Sequence, residues 1–375
     1  MRIAVNTRFL LKNKLEGMGI YTIEIVKRMV LSHPEDEFIF LFDRAYDSKF
    51  VFADNVTPVV VYPSARHPIL WDIWFELSLP YYLKKYKADV FFSTDGHLSL
   101  KTNVPTVMCL HDIAYLHYPK MVSSQVLSYY QKRIPQFIEK AKKIICVSNF
   151  VKQDIQTHFK DVDSNKIVVI HNACSKTNFD SKLSKKETHD KYSAGRQYIF
   201  YVGAIHPRKN IKTLIQAFDL FASENKEIDL LIAGRLAWQN DELKNVYENS
   251  AFKHRIKLLG YVSDEALKSI LGHALLFVYP SLLEGFGLPI LEAFHAEVPV
   301  ISSNVSSMPE VAGDAALLVD PRSKKELAQA IRSLVDSKEL QTELVEKGRV
   351  QRENFSWDRA AEAVYELIVD ASRVR

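Results

Sequence analysis

Short apolar runs alternate with longer segments of helical periodicity along most of this 375-residue chain. Those of strand length in the first half are Ile3–Val5, Phe38–Phe42, Val90–Phe92, Thr106–Leu110, Ile144–Val147 and Ile167–Ile170. Those in the second half are Tyr198–Val202, Leu230–Ala233, Ile256–Leu258, Leu275–Val278 and Val298–Ile301. Strands that alternate with helices pair in parallel, because each helix returns the chain to the same end of the sheet. The pattern therefore predicts an α/β fold with two doubly wound, Rossmann-like domains.

A polar stretch from Ser175 to Gln197 interrupts the alternation and marks the predicted domain boundary. We expect a first domain over residues 1–180 and a second over residues 190–356, each with its own core. Residues 357–375 have helical periodicity and follow a predicted cap at Ser356. Open parallel sheets bind ligands beyond the carboxyl ends of their strands, so a cleft between the domains is the expected site.

The composition argues against several classes of protein. The formal net charge is only +4 and no basic stripe is present, which argues against nucleic-acid binding. The chain has no stretch of about 18 apolar residues and no signal-peptide pattern at its start, so neither a membrane span nor export is expected. The three cysteines, Cys109, Cys146 and Cys174, lack metal-ligand spacing and are interpreted as thiols of a reducing compartment. A cytoplasmic location is expected.

The stretch Tyr279 to Glu297 combines a strand end, a loop with two glycines and the start of a helix. Gly285 and Gly287 allow a tight turn close to a ligand, and Pro289 suits the first turn of a helix. The first amides of a helix have no partner within it and attract negative charge. The stretch therefore predicts an anion-binding loop.

Two glutamates frame this loop, Glu284 before it and Glu292 in the predicted helix. Their separation corresponds to about 12 Å along a helix, too far for the paired carboxylates of a glycosidase, which lie roughly 5 to 9 Å apart. Carboxylates accept hydrogen bonds from hydroxyls, so the pair suits a ligand with hydroxyls at both ends and a phosphate between them, such as a nucleotide sugar. Two glutamates that simply face water are the alternative.

The segments EGFGLPILEA and PVISSNVSSMPEVAGDAALLVDP resemble glycosyltransferase family 4. The resemblance implies retaining, metal-independent enzymes of the GT-B fold, in which two Rossmann-like domains face each other across a cleft. It further implies that Glu284 faces the donor sugar, that Glu292 holds the ribose, and that Gly285, with the amides of Phe286, Gly287 and Leu288, meets the sugar or diphosphate. Glu297 departs from the family pattern, which usually has glycine there, so a residue with positive φ is expected at this turn.

The segment VGAIHPRKN, Val202 to Asn210, follows the first strand of the second domain. Two cationic side chains beside a helix N-terminus are repelled by the helix dipole, so their presence there suggests that a ligand phosphate neutralises their charge. The alternative is that both side chains point into water. The segment resembles the diphosphate-binding segment of the family, which implies that role for Gly203, Arg208 and Lys209, and Asn210 is the predicted helix cap. Other predicted donor-binding residues are Gly234 and Arg235 after the next strand and, by resemblance to the base-binding loop, Tyr261 and Val262.

Two motifs in the first domain follow predicted strands. Gly17 and Gly19 lie in a predicted loop between the first strand and the first helix, where they could admit a phosphate, although the family often has arginine at the position of Ile20. His111 and Asp112 follow the strand Thr106–Leu110 and so belong at its carboxyl end. A histidine there can donate to a hydroxyl, with Asp112 orienting its ring, and a matching pair in the family lies near the reacting carbon.

The segment of residues 68–87 is rich in aromatic residues and ends in lysines. Aromatic residues at helical spacing favour a core position over a helix that docks on a bilayer, but both interpretations stay open. Asp161 and Asp163 could chelate a metal ion, yet they lie at the amino end of a predicted strand and are interpreted as a solvated loop. No metal or other cofactor is expected.

These motifs lead to the hypothesis of a metal-independent, retaining hexosyltransferase. Its donor is a nucleotide-diphosphate sugar held by the second domain, with GDP-mannose favoured because VGAIHPRKN resembles mannosyltransferases of surface-polysaccharide assembly. Its acceptor is a glycan or lipid-linked glycan bound by the first domain, with peripheral membrane contact left open. Catalytic roles are assigned to His111, Asp112, Arg208, Lys209 and Glu284. The alternatives are a sugar-nucleotide epimerase or hydrolase and a noncatalytic subunit that binds the nucleotide sugar.

Overall fold

The computed structural model describes residues 1–12, 15, 17–174, 182–235 and 241–373. The chain divides into two compact units. The first unit comprises Met1–Asn172 and the segment that starts at Ser356, and the second comprises Ala173–Phe355. The last helix thus belongs to the first unit, and the division lies between Asn172 and Ala173.

The first unit contains a seven-stranded sheet in which all strand pairs are parallel. Its strands are β1 (Arg2–Asn6), β2 (Glu37–Phe42), β3 (Val56–Val60), β4 (Val90–Ser93), β5 (Thr106–Leu110), β6 (Lys143–Cys146) and β7 (Ile167–Val169). Their order in the sheet is β3-β2-β1-β4-β5-β6-β7. Strand β3 was not predicted because Pro58 interrupts its pattern, and proline is tolerated here because β3 is an edge strand.

Seven α-helices are described in the first unit. They are α1 (Gly17–Ser32), α2 (Pro68–Ile73), α3 (Leu79–Lys85), α4 (Ala114–His117), α5 (Ser124–Lys140), α6 (Asn149–His158) and, at the end of the chain, α15 (Trp357–Arg373). A π-helical turn, Trp74–Ser78, joins α2 to α3. For the aromatic segment of residues 68–87, the predicted core position is confirmed at Trp74 and Phe75. Both are fully buried against the sheet together with Leu79 and Leu83.

Helix α15 packs on α1 within the first unit. Arg28 of α1 donates from Nε to Asp358 at 2.5 Å, and Tyr365 donates its hydroxyl hydrogen to Asp36 at 2.7 Å. The predicted cap at Ser356 is confirmed, because its hydroxyl oxygen accepts from the amide of Arg359. The predicted helical segment extended to residue 375, and residues 374 and 375 lie outside the described residues.

The second unit contains a six-stranded sheet that is also parallel throughout. Its strands are β8 (Gln197–Val202), β9 (Ile228–Ala233), β10 (Ile256–Gly260), β11 (Leu276–Tyr279), β12 (Val300–Ser303) and β13 (Ala316–Val319), in the order β10-β9-β8-β11-β12-β13. The prediction of two doubly wound sheets is confirmed. Strand β13 was not predicted, because its four residues contain one β-branched side chain, Val319.

The described helices of the second unit cover the faces of its sheet. They are α7 (Lys185–Ser193), α8 (Ile211–Ala222), α9 (Asp241–Glu248), α10 (Asp264–Gly272), α11 (Leu288–His295), α12 (Met308–Ala312), α13 (Lys324–Asp336) and α14 (Lys338–Gln351). The polar stretch at the predicted boundary includes α7, which begins with a capping box between Ser184 and Glu187. Residues 175–181 of that stretch lie outside the described residues.

Three local predictions can be compared with the backbone of the second unit. Pro289 occupies the first turn of α11, as predicted. Glu297 has φ 58°, as predicted for the turn where the family has glycine, and Arg349 donates to both of its carboxylate oxygens at 2.9 and 2.6 Å. The prediction that the side chain of Asn210 caps α8 was wrong. Asn210 occupies the N-cap position of α8 with φ 60°, but its side chain accepts no backbone amide of the helix, and its Oδ1 instead accepts from the hydroxyl of Thr213 at 2.7 Å.

Within the ranges that the structure describes, none of the helices combines the length and the apolar character that a membrane span requires.

Candidate active site

The candidate site lies where the strand order of the second sheet reverses, between β8 and β11. Doubly wound sheets bind ligands at this switch point, beyond the carboxyl ends of the two strands. The chain that leaves β8 leads to Arg208 and Lys209, and the chain that leaves β11 leads to Glu284. The two loops are joined by their backbones, since the amide of Leu282 donates to the carbonyl of Arg208 at 2.7 Å.

Asn210 ties this pair of loops to a third. Its side-chain Nδ2 donates to the carbonyl of Pro280 at 3.0 Å and to that of Pro321 at 2.6 Å. Pro280 follows β11 and Pro321 follows β13. The left-handed backbone at Asn210 turns the amide towards these carbonyls, which explains why the side chain does not cap α8. The loops of the site are therefore fixed before any ligand arrives.

The structure brings three of the predicted residues into one ion cluster. Lys209 donates from Nζ to Glu284 Oε1 at 2.5 Å, and Arg208 donates from Nη1 to Glu284 Oε2 at 3.0 Å. Arg208 also donates to the carbonyl of Leu283 at 3.0 Å. Tyr279, which was not predicted, donates its hydroxyl hydrogen to Glu284 Oε1 at 2.8 Å and accepts from Lys209 at 2.9 Å. Both oxygens of the carboxylate are thus bound by cations.

The electrostatics of this cluster favour an added anion. Burial alone would raise the pKa of Glu284, but Lys209 and then Arg208 outweigh it and hold the pKa at about 2. Burial and the adjacent carboxylate raise the pKa of Tyr279 well above its ordinary value, so this phenol stays a neutral donor. Two cations face one carboxylate, and the excess positive charge suits a phosphate oxygen.

Serine side chains hold the glycine loop between Glu284 and α11. Ser307 donates its hydroxyl hydrogen to the carbonyls of Glu284 and Phe286, at 2.9 and 2.8 Å, and the amide of Glu284 donates to Ser306 Oγ at 3.1 Å. Gly287 precedes α11 with φ 106°, a conformation that suits glycine. Sequence reasoning did not single out either serine, although both lie in the matched segment SSNVSSMPE. The loop has the predicted strand-loop-helix form.

Glu292 lies within α11 and has a different environment from Glu284. Burial, together with the negative charge of Asp264, raises the pKa of Glu292 to about 7. At neutral pH a substantial fraction of this carboxyl therefore carries a proton. The two glutamates that frame the loop have opposite protonation tendencies, which their spacing in the sequence did not reveal.

The other predicted donor-binding residues follow β8, β9 and β10 at the same edge of the sheet. The backbones of Gly203 and Gly234 touch, because a Cβ on Gly234 would lie 1.8 Å from the carbonyl oxygen of Gly203. Only glycine fits at Gly234. Arg235 is exposed after β9, and Tyr261 and Val262 follow β10 with the tyrosine ring mostly in solvent.

The predicted residues His111 and Asp112 follow β5 in the first unit. His111 donates from Nε2 to the carbonyl of Thr94 at 2.8 Å, and its ring meets the ring of Tyr21 edge-on, with centroids 4.9 Å apart. Burial lowers the pKa of His111, but Cys109, the carbonyl of Thr94 and Asp112 together raise it to about 9. Asp112 accepts at Oδ1 from the amide of Ala114, so it helps to start α4.

The predicted loop at Gly17 and Gly19 is helical instead. Helix α1 begins at Gly17, so both glycines lie in its first turn. A Cβ on Gly19 would lie 2.8 Å from the carbonyl oxygen of Phe9, which shows that close packing requires glycine there. The prediction of a loop was wrong for these two residues, whereas the predicted phosphate contact at the N-terminus of this helix stays a prediction.

One group of side chains in the described part of the first unit has the composition of a metal site. The ligand atoms of His117, Asp154 and His158 all lie within 4.8 Å of one another, and His117 Nε2 lies 2.8 Å from Asp154 Oδ2. A hydrogen-bonded pair accounts for that distance equally well. Asp163, considered above as a metal ligand, instead accepts from the amide of Asn165 and starts a short turn.

The sequence matches two families of glycosyltransferases. Residues 16–175 match the family described as Glycosyltransferase Family 4, and residues 184–351 match the family described as Glycosyl transferases group 1. The O-antigen chain mannosyltransferase B of Escherichia coli is 31% identical over 365 residues, which cover 93% of this chain and 94% of that relative. The O-antigen chain mannosyltransferase RfbU of Salmonella typhimurium is 28% identical, covering 77% of this chain and 78% of its own.

Solved structures share the fold over the whole length of the chain. Sucrose-phosphate synthase from Thermosynechococcus elongatus has a TM-score of 0.77 at 17% identity, with complete coverage of both chains. Anabaena HepE, solved in complex with UDP and glucose, has a TM-score of 0.74 at 16% identity and covers 99% of this chain and 100% of its own. At these identities the likeness concerns the fold alone, and it confirms the predicted GT-B class.

Proposed function

The chain belongs to glycosyltransferase family 4 and is a hexosyltransferase, and we propose that it transfers mannose from a nucleotide-diphosphate sugar to a glycan or lipid-linked acceptor. The observation that carries the proposal is the ion cluster of Arg208, Lys209 and Glu284 at the switch point of the second sheet. Its excess positive charge and its fixed loops suit the diphosphate of a nucleotide sugar.

The comparisons support both substrates of this reaction. Relatives over most of the chain are named O-antigen mannosyltransferases, which supports mannose as the sugar and surface polysaccharide as the product. Neighbours of the same fold were solved with UDP and with UDP-glucose, which supports a nucleotide sugar as the donor. GDP-mannose is the donor that we propose to test first.

Stabilisation of the leaving diphosphate is the main catalytic contribution in this proposal. Arg208 and Lys209 neutralise the charge that develops on the diphosphate when its bond to the sugar breaks. The amides at the start of α11 act on the same group, because the N-terminus of a helix favours negative charge. Glu284 keeps the two cations in position and accepts a hydrogen bond from the donor sugar. Glu292 accepts hydrogen bonds from the ribose hydroxyls.

Retention and metal independence are further parts of the proposal. The two side-chain cations perform the charge neutralisation that a metal ion performs in metal-dependent transferases. Retention follows from transfer on the face of the sugar from which the diphosphate departs. His111, whose Nε2 is held by the carbonyl of Thr94, acts on a hydroxyl of the acceptor through its other ring nitrogen in this proposal. The stereochemistry of the product, measured by NMR, tests retention, and an inverted product would contradict it.

We also propose that the segment from α2 to α3 contacts an anionic membrane surface. Ile69, Leu77 and Tyr81 expose 66%, 59% and 62% of their surface, and the exposed Lys84 and Lys85 follow them. An apolar face next to lysines is the composition that binds anionic lipid headgroups. In sedimentation with phosphatidylglycerol vesicles, Leu77→Asp should reduce the bound fraction, whereas Leu31→Asp, at an exposed leucine of α1, should not. Equal binding of both variants would contradict the proposal.

A donor panel tests the central proposal. Thermal unfolding is measured with GDP-, UDP-, ADP- and dTDP-linked sugars, with and without EDTA, because a ligand that binds the folded state raises the melting temperature. We expect GDP-mannose to give the largest shift, unchanged by EDTA, and a saccharide product to form when a mannose-terminated acceptor is added. Absence of any shift would overturn the donor site. Release of free mannose without transfer would instead indicate a hydrolase.

A further inference from the structure

The first sheet also has a switch point, between β1 and β4, and charged side chains follow both strands there. Arg8 lies two residues after β1, and Asp95 and His97 follow β4. Arg8 donates from Nε to Asp95 Oδ2 at 2.7 Å, and the amide of His97 donates to Asp95 Oδ1 at 3.1 Å. All three residues are buried, although none of them belongs to a regular element.

Aromatic side chains surround this pair of loops. We use the name aromatic cluster for His97 and the rings of Trp71, Phe75, Tyr115, Tyr129 and Tyr130. The ring centroid of His97 lies 5.6 Å from that of Trp71 and 6.0 Å from that of Tyr129. Trp71 and Tyr130 are parallel, with centroids 6.0 Å apart, and both remain partly accessible. The cluster joins α2, α4 and α5 to the loop after β4.

Three polar atoms in the cluster are buried without a hydrogen-bond partner among the described residues. They are His97 Nε2 and the hydroxyls of Tyr115 and Tyr129, whose residues are 5%, 8% and 7% exposed. Buried polar groups in folded proteins nearly always have partners, so each exception calls for an explanation. Three in one cluster, beside a buried arginine, are the pattern expected of a site whose partners come from a ligand.

The charge balance of the cluster defines the kind of ligand. Burial would raise the pKa of Asp95, but Arg8 and then His97 hold it well below its usual range, so Arg8 faces an ionised carboxylate. Arg8 and Arg133 are the arginines that act on the cluster, and Asp72, Glu76 and Asp95 are its carboxylates. The arginines do not outnumber the carboxylates, in contrast to the cluster of Arg208, Lys209 and Glu284. A ligand here gains from hydroxyl groups and from an apolar face, rather than from negative charge.

We propose that the aromatic cluster is the subsite for a neutral hexose unit of the acceptor. The hydroxyls of Tyr115 and Tyr129 and Nε2 of His97 bond the hydroxyls of this hexose, and the accessible rings of Trp71 and Tyr130 cover its C–H face. Arg8 and Asp95 hold the loops in place. The inference rests on the proposed function, since it takes the acceptor to be a glycan.

The variant Tyr129→Phe separates a ligand contact from a structural role. Because the hydroxyl of Tyr129 has no partner among the described residues, its removal should leave the melting temperature unchanged or higher. The KM for a mannose-terminated acceptor should rise about tenfold, as expected for one lost hydrogen bond, while the KM for the donor stays unchanged. An unchanged KM for the acceptor would overturn the proposal.

Tyr198→Phe is the matched control. The hydroxyl of Tyr198, in β8, donates to the carbonyl of Ile270 at 2.8 Å, so this variant loses a bond within the protein. Its melting temperature should fall, and its KM for the acceptor should not change. If Tyr129→Phe lowers the melting temperature as much as Tyr198→Phe and leaves the KM unchanged, the hydroxyl is structural and the subsite is rejected.

A binding measurement keeps the test independent of transfer. Methyl α-D-mannoside is observed by saturation-transfer NMR, and inorganic diphosphate by calorimetry, with the full-length protein. Tyr129→Phe and Trp71→Phe should each weaken the mannoside signal at least several-fold and leave diphosphate affinity unchanged, whereas Lys209→Ala should do the reverse. If no donor supports transfer but the mannoside result holds, the proposed function fails and the subsite stands. If the mannoside does not bind or Tyr129→Phe has no effect on it, the subsite fails.

Discussion

The two sheets reverse their strand order in the same way, but the loops at the two switch points have different chemistry. In the second unit, Arg208 and Lys209 face the single carboxylate of Glu284. In the first unit, Arg8 pairs with Asp95 among aromatic rings, and His97 lies 3.4 Å from the other oxygen of Asp95. The shared topology determines where each ligand site lies, and the balance of charges determines whether a phosphate or a neutral sugar suits it.

Both sites also contain a carboxylate whose pKa is lowered by cations, so burial of an acid does not distinguish them. The two sites differ in the charge and the polar groups that remain after the acid is paired. Positive charge remains in the second unit, whereas in the first unit two tyrosine hydroxyls and one imidazole nitrogen remain that have no partner among the residues described. The comparison therefore predicts that substitutions at the two sites have separable effects.

The largest expected effect is on stability, from Asp95→Asn. This change leaves Arg8 buried without its carboxylate, which should lower the free energy of unfolding by about 3–5 kcal/mol. The double variant Arg8→Met with Asp95→Leu replaces the pair by apolar groups and should recover most of the loss. Urea unfolding measures both. A loss below about 1 kcal/mol in the single variant would show that the pair is not buried as described.

The same carboxylate makes the stability depend on acid. The unfolded chain protonates Asp95 near pH 3.8, whereas the folded pKa lies well below that value. The stabilisation from Asp95 is therefore complete above about pH 5 and declines as the pH falls through and below the unfolded pKa. The double variant should lose less stability between pH 4 and pH 2 than the wild type loses. An identical acid profile for both proteins would contradict this assignment.

The next largest effect is on turnover, from Lys209→Ala. Loss of one cation that stabilises the leaving diphosphate should reduce kcat by about 10²–10³-fold. Because this variant also removes a partner of the buried Glu284, it needs a control for stability. Arg208 still pairs with Glu284 in this variant, so the protein should remain folded at a temperature well below its melting temperature, and kcat is measured there. A kcat near that of the wild type under these conditions would show that Lys209 acts only on stability.

A smaller effect is expected on the pH dependence of donor binding, through Glu292. If the carboxylate accepts hydrogen bonds from the ribose, the ionised form binds the donor better, and its pKa of about 7 lies in the accessible range. Donor affinity should then rise up to about tenfold from pH 6 to pH 8. Glu292→Gln should remove most of this dependence. A wild-type affinity that is flat over this range would exclude the ribose contact.

The smallest expected effect is that of salt. Raising the salt concentration from about 0.05 to 0.5 M should weaken diphosphate binding several-fold, because the cations of the second unit act through charge. Binding of methyl α-D-mannoside should change by less than twofold, because the cluster in the first unit carries no excess charge. Calorimetry and NMR at the two salt concentrations measure this. Equal salt dependence of the two ligands would remove the distinction between the sites.

The sequence predicted the fold and the charged site well because both depend on local patterns. Alternating apolar runs identified most strands, and Arg208, Lys209 and Glu284 lie in segments that resemble a known family. Strand β3 was missed because Pro58 interrupts its pattern, and β13 because it contains one β-branched residue. The cap prediction at Asn210 failed because the backbone there is left-handed, which sequence pattern did not indicate, and the side chain bonds the hydroxyl of Thr213 rather than a backbone amide of α8.

The aromatic cluster could not be predicted in the same way. Its members come from several segments, and spacing along the chain does not show that Arg8 and Asp95 meet. Trp71 and Phe75 had the spacing of core residues, which is correct for Phe75. One feature of the sequence could have indicated this site. A charged residue follows each of β1 and β4, the two strands that flank the switch point.

The bonds of Asn210 have a consequence for attempts to exchange donor specificity between family members. One amide holds the carbonyls of Pro280 and Pro321, so the shape of the donor pocket is encoded in three distant stretches of sequence. Aspartate is the same size but offers only acceptors, and would repel both carbonyls. A transplanted loop that lacks its matching partners will therefore not keep its shape. Chimeric enzymes should exchange residues 202–210, 280–288 and 319–321 as a single cassette.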